Sequence, residues 1–145
     1  MALILQTTRL LVREFSLADA PALQLVCGNR RTMRHVGDGT TLDLARCTEW
    51  IRVSLRDYAG KGHGAWALFV QGAEPMAGYA GIVSAARRAD PEIIYALQPQ
   101  WWQQGLAGEL VPALLAHGFS RYGLPRIVAT VAAATRRPQP SPRWP

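Results

Sequence analysis

The hydrophobic positions change period several times along the chain, and each change marks an element. Over residues 8–15 aliphatic and β-branched side chains mix with charged ones, as in a half-buried strand. Ser16 then offers an N-cap hydroxyl with Asp19 three positions later, and Ala22, Leu23, Leu25 and Val26 continue at helical spacing until Gly28. After a break at Gly37, Asp38 and Gly39, the residues Leu42, Leu44, Cys47, Trp50, Ile51, Leu55 and Tyr58 recur every three or four positions. That spacing predicts an amphipathic helix ending near Gly60. Residues 65–70 and 76–83 flank a turn at 71–75 and read as a β-hairpin, and residues 92–97 form a further strand that Pro99 stops. Leu106, Leu110, Leu114, Leu115, Phe119 and Tyr122 share one face of a helix that begins around Gly105 and ends at Gly123. Pro112 lies inside that helix, where it removes a donor and should kink the rod. Residues 127–131 are the last predicted strand.

The order β-α-α-β-β-β-α-β places the chain in the α/β (α+β) class, and its final β-α-β unit calls for a parallel pair joined by a right-handed crossover. Residues 132–145, rich in Pro, Arg and Ala, hold too little aliphatic surface to offset their ordering entropy and are expected to fray. The remainder, residues 6–131, reads as one domain within a chain of 145 residues that is 49% hydrophobic. No run approaches the roughly 18 apolar residues of a membrane span, and no secretion signal opens the chain, so a cytoplasmic location without membrane association is expected. Cys27 and Cys47 show no metal-ligand or Cys-x-x-Cys spacing and are expected to be buried free thiols.

The formal charge of +6 changes this picture little. Arg136, Arg137 and Arg143 lie in the tail with no acid beside them, leaving thirteen basic against ten acidic residues in the body. No basic stripe interleaved with aromatics is present, which speaks against nucleic acid, whereas attraction of an anionic cosubstrate is a natural use of the charge.

Candidate chemistry concentrates between the fourth strand and the third helix, where Gln98-Pro99-Gln100-Trp101-Trp102-Gln103-Gln104-Gly105-Leu106-Ala107-Gly108-Glu109 joins small residues to a helix start. Unpaired amides there, aided by the helix dipole, make an anion site suited to a pyrophosphate; an ordinary glycine-containing helix start is the plainer alternative. His35, His63 and His117 form no triad with a Ser or Cys. Trp66, Tyr79 and Trp101 are candidates for an acceptor pocket, against the commoner use of strand aromatics as core.

Glu92-Ile93-Ile94-Tyr95-Ala96-Leu97 followed by Trp101-Trp102-Gln103-Gln104-Gly105-Leu106-Ala107-Gly108-Glu109 resembles the acetyl-CoA motif of GNAT superfamily N-acetyltransferases. The similarity is greatest to the branch that acetylates ribosomal-protein N-termini, which typically reads Glu-Ile-Gly-Tyr-x-Leu, then Tyr-Trp-Gly-(Arg/Lys)-Gly-(Leu/Tyr)-Ala-Thr-Glu. The opening Thr8-Arg9-Leu10-Leu11-Val12-Arg13 and the pair Met33-Arg34 match that branch as well. The resemblance implies a largely antiparallel twisted sheet with a central parallel pair and flanking helices. It implies acetyl-CoA as cosubstrate and no metal, with the backbone of Tyr95, Ala96 and Leu97 pairing to pantetheine. The amides of Gln104, Gly105, Leu106, Ala107 and Gly108 would hold the pyrophosphate. Gly108 replaces a usual Thr and so removes a hydroxyl.

In this family a neutral amine attacks the thioester directly, and Glu92 is the candidate base, acting through water. The competing reading of Glu92 is a solvated residue at a strand edge. The acceptor would be a protein N-terminus or a small-molecule amine, and the protein a monomer or homodimer. After the fifth strand the family continues with Asn-x-x-Ser, a helix and a closing hairpin, which residues 132–145 do not match. A one-base shift within residues 134–138 could restore Asn-Ala-Ala-Ser, so a frameshift and an acetyltransferase of impaired stability and turnover are expected. A non-catalytic acyl-CoA-binding module and a basic interaction domain are the rival readings.

Overall fold

The computed structural model describes residues 2–34, 36, 38–84 and 90–128. Strands β1 (Leu3–Gln6) and β2 (Leu10–Arg13) form a hairpin; β2 is the first strand expected within 8–15, and β1 is an additional strand ahead of it that the pattern does not predict. The turn closes through the Thr7 amide, which donates to the Leu10 carbonyl at 2.9 Å. A 3-10 turn at Leu17–Asp19 leads into α1 (Ala20–Cys27), with the capping box of Ser16 and Asp19 in place. A short helix, α2 (Arg30–Met33), follows; Asn29 caps it by accepting from the amides of Arg31 and Thr32. The amphipathic helix α3 (Leu44–Lys61) is capped by Asp43 and stops at Gly62, whose φ of 86° is the left-handed conformation that glycine adopts most readily.

β3 (Ala65–Val70), β4 (Gly78–Ser84) and β5 (Pro91–Leu97) continue the sheet in the order β1-β2-β3-β4-β5, every neighbour antiparallel. The helix α4 (Leu106–Tyr122) then crosses back and runs uninterrupted through Pro112. It delivers Val128 to the far side of β5, where Val128 bridges Glu92 in parallel. The predicted β-α-β unit is therefore present at its first parallel bridge. The rest of the predicted strand at 127–131 lies outside the described residues, as do the readings made for His35, Gly37 and the tail.

Two apolar layers fix the sheet. Phe15, Leu23, Val26, Met33, Trp50, Ile51, Tyr79, Ile94 and Ala96 pack on the face covered by α1, α2 and α3. Leu10, Val12, Trp66, Leu68, Ile82, Ile93, Leu97, Leu106, Leu110 and Leu114 pack on the face covered by α4. Trp66 and Tyr79 are fully buried on opposite faces, so they are core residues and cannot line one acceptor pocket. Cys27 and Cys47 are buried free thiols, as the sequence predicts. No helix among the described residues is long and apolar enough to cross a membrane.

Candidate functional site

The site is built where β5 ends and α4 begins. Along its whole length β5 pairs with β4, from Gly78 opposite Leu97 to Ser84 opposite Pro91. On its other side the Ile93 amide donates to the Val128 carbonyl, and the Val128 amide to the Pro91 carbonyl, both at 2.8 Å. Because a strand residue sends its amide and carbonyl to the same side and its neighbour sends them to the other, residues 91, 93, 95 and 97 turn their backbone away from β4. Of the three strand residues expected to meet pantetheine, Tyr95 and Leu97 therefore present backbone to that side. Ala96 spends its own on β4, opposite Tyr79. The Leu97 carbonyl accepts from the Trp102 indole N–H at 2.8 Å.

The link to α4 is held by its own side chains. Gln98 is clipped to the start of β4 by two bonds of 2.8 Å, its amide to the Ala77 carbonyl and its side-chain amide to the Met76 carbonyl. A 3-10 turn spans Pro99–Trp101, and the Gln104 side chain donates to the Gln100 carbonyl at 2.8 Å. Gln103 and Gly105 both take left-handed backbone, at φ 61° and 78°. The first bond within α4 runs from the Glu109 amide to the Gly105 carbonyl, at 3.2 Å. The amides of Leu106, Ala107 and Gly108 precede it, and Gly105 has no side chain with which to cap them. Around Gly108 the space is open, since an added Cβ would meet nothing within 4 Å. The first turn of a 17-residue helix with free amides, exposed at Gly108, suits an anion.

Gln103 stands where the motif has glycine. A left-handed conformation costs an ordinary L-residue about 1–2 kcal/mol, partly offset by the roughly 0.5–1 kcal/mol of extra chain entropy that glycine loses on folding. Gln103→Gly is therefore expected to stabilise the protein by about 0.5–1 kcal/mol, read as a higher midpoint in urea unfolding. An unchanged or lower midpoint would show that the Gln103 side chain contributes more than its backbone strain costs.

The structure adds a network that local spacing could not reveal. Glu109, in the first turn of α4, accepts from the Thr7 hydroxyl, from the Arg9 amide at 2.8 Å and from Arg9 Nε at 2.8 Å. Arg9 Nη1 donates to the Gln104 carbonyl, also at 2.8 Å. One carboxylate and one guanidinium thus tie the β1–β2 turn to the cradle and leave a cation beside it. Hydrogen bonds from Thr7 and from the Arg9 backbone and side chain hold the Glu109 carboxyl down to about 2, against an ordinary value of 4.5. With the folded value depressed, its stabilising contribution is complete above pH 4.5 and is lost as pH falls towards 2. Glu109→Gln is expected to flatten the acid limb of a Tm-against-pH curve across that window and to lower Tm at pH 7. An acid limb identical to that of the unaltered protein would rule this linkage out.

Glu92 is not at a solvated edge. It is 5% exposed, lying between Val83 of β4 and the bridge at Val128. Alternation along β5 puts it on the face of Ile94 and Ala96, which is the face of α1, α2 and α3. His63 and His117 belong to a separate cluster around Tyr122: His117 Nε2 lies 3.1 Å from its hydroxyl, and His63 Nδ1 contacts the Ile82 carbonyl at 2.8 Å. Among the described residues no group of three His, Cys, Asp or Glu is arranged to hold a metal ion.

Known proteins agree with this geometry. The sequence profile of the acetyltransferase (GNAT) domain family matches residues 9–137. YoaA of Bacillus subtilis (strain 168), described as an N-acetyltransferase, is 30% identical over 131 residues, covering 88% of this chain and 73% of its own. Among solved structures, an acetyltransferase of Agrobacterium tumefaciens str. C58 superposes with a TM-score of 0.72 at 25% identity, over 88% of this chain and 72% of its own. The ribosomal L7/L12 alpha-N-protein acetyltransferase RimL, solved in complex with coenzyme A, superposes with a TM-score of 0.73 over 88% of this chain and 73% of its own; at 19% identity that likeness shows the fold alone. With its profile matched over most of its length, its sheet order and its uncapped α4, the chain belongs to the GNAT acetyltransferase family.

Proposed function

We propose that this chain moves an acetyl group from acetyl-CoA to a primary amine, with a protein N-terminus as acceptor and a small-molecule amine as the second class. The observation that carries the reading is the meeting of two backbone surfaces: the side of β5 turned away from β4 at Tyr95, next after the bridge to Val128, and the uncapped amides that open α4. An extended amide-bearing arm fits the first by strand addition, and a pyrophosphate fits the second. The amides from Gln104 to Gly108 would hold the diphosphate, with Arg9 beside them as counter-charge.

In the reaction the neutral amine attacks the thioester carbonyl, the new C–N bond forms, the C–S bond breaks, and CoA departs as the thiolate, which takes a proton from solvent. One amine proton must leave. Glu92, on the buried inner face of β5, would receive it through a water. RimL is described as acting on the alpha-amine of ribosomal protein L7/L12, which supports a protein amine here.

Calorimetry with acetyl-CoA tests the cleft. A Kd on the order of 10 μM is expected, within the range typical of enzyme substrates, and Gly105→Val should weaken it at least tenfold because a β-branched residue cannot hold φ 78°. Absence of binding by a chain that circular dichroism shows to be folded would overturn the reading.

A further inference from the structure

Among the described residues, the cations without a carboxylate partner gather on α2. Of the eleven described Lys and Arg residues, Arg9, Arg13, Arg52, Arg56, Lys61 and Arg126 each lie within 4.0 Å of a carboxylate. Three of the five that do not are Arg30, Arg31 and Arg34, all exposed and all within α2 and its C-cap. The acids that follow in sequence are engaged in their own loop: Asp38 accepts from the Thr40 amide, and Asp43 caps α3 by accepting from Arg46. Three guanidinium groups within five positions are thus left without a counter-ion among the described residues.

Position gives the patch its meaning. Met33 anchors α2 in the layer that holds Ile94 and Ala96, so α2 sits on the face of β5 to which Glu92 belongs. The Arg31 guanidinium lies 5.3 Å from the ring centroid of Trp102, the residue whose indole grips the Leu97 carbonyl. The short helix therefore reaches from the side of the candidate base to the rim of the cosubstrate loop. Arg9, Gln104 and the α4 amides form a separate anion cradle at the start of α4.

We propose that Arg30, Arg31 and Arg34 form an acceptor subsite that selects amines carried on acidic peptides, with carboxylates beside the reacting N-terminus. This rests on the cleft assignment made above, because the amine must arrive at Glu92. Clustered exposed cations without carboxylate partners raise the local concentration of an anionic ligand and reject a cationic one, an effect that salt screens. Guanidinium groups also grip carboxylates in pairs of hydrogen bonds, which lysines cannot copy.

The test uses the full chain and two N-terminally free peptides of equal length, one reading Ser-Asp-Glu-Asp-Glu and one reading Ser-Asn-Gln-Asn-Gln, each with a C-terminal fluorophore. Anisotropy should show the acidic peptide binding roughly tenfold more tightly at 50 mM salt, with the advantage shrinking to about twofold at 0.5 M. The triple variant Arg30→Gln, Arg31→Gln, Arg34→Gln should lose this preference. So should Arg30→Gln with Arg34→Gln, which keeps the Arg31 contact with Trp102, though in smaller part. Calorimetric affinity for CoA and for 3′-dephospho-CoA should be unchanged in both. Equal binding of the two peptides, or variants that weaken CoA but not its dephospho form, would overturn the proposal, the latter by giving the arginines to the cosubstrate phosphate. Peptide binding is read without turnover, so failure to bind acetyl-CoA would defeat the cleft assignment while the peptide comparison still decides the subsite.

Discussion

Gly78→Val is expected to leave the chain unable to fold. A Cβ at position 78 would sit 1.9 Å from the Ala96 carbonyl oxygen, 2.9 Å from its carbon and 3.1 Å from the Leu97 Cα. All three are backbone atoms of β5, so no side chain can rotate away. Relief requires moving β5 off β4 at the residues that frame the candidate cleft. Overpacking a core costs about 1–3 kcal/mol where side chains can give, and more where they cannot. Against a total stability of roughly 5–15 kcal/mol for a domain, Gly78→Ala should cost at least about 3 kcal/mol, and the β-branched variant should appear only in the insoluble fraction. Gly60 supplies the contrast. It lies inside α3 with nothing within 4 Å of an added Cβ, so Gly60→Ala should stabilise by about 0.5–1 kcal/mol through helix propensity. Urea midpoints for the two alanine variants decide the matter, and equal midpoints would refute the close-approach argument.

How far the sequence could be read depends on how local each signal is. β3 and α4 fall at the residues their patterns indicate: β3 is a short unbroken apolar run bounded by Gly64 and Gly72, and α4 a long helical pattern that Gly105 opens and Gly123 ends. β1 escapes because it is a four-residue edge strand whose end residues are exposed, so no inward face stands out. The turn that follows it, around Thr7, has neither glycine nor proline to mark it. The four residues of α2 are too few to show a period at all. At the candidate site the anion cradle is legible, since small residues at a helix start are contiguous in sequence. The ties among Thr7, Arg9, Gln104 and Glu109 join positions about a hundred residues apart, and only the fold brings them together. Glu92 misleads in the other direction. An acid in a strand is ordinarily solvated, and its burial here follows from α4 returning the chain to lay Val128 along the far side of β5.

That burial makes Glu92→Gln the sharper test of mechanism. Glutamine keeps the volume and one acceptor oxygen but cannot take a proton, so packing on the inner face of β5 is preserved while base catalysis is lost. General base catalysis is worth typically 10²–10⁴-fold, and for a base working through water kcat should fall about a hundredfold, close to 2.7 kcal/mol at the transition state. Acetyl-CoA affinity should be unchanged, because the proposed grip on it comes from the backbone of β5 and α4. An α-amine loses its proton near pH 7.7–8.0 without help, so raising the pH enlarges the neutral fraction of the acceptor for both proteins. What the variant lacks is the route for the second proton, released as the C–N bond forms. Its rate should climb with pH into the range where hydroxide takes that role, while the unaltered enzyme levels off once the amine is neutral. Single-turnover rates measured from pH 6 to 10 separate these shapes. If Glu92→Gln lowers Tm but leaves kcat within threefold and the two pH profiles parallel, the carboxylate is a structural buried acid, and the proton leaves by another route.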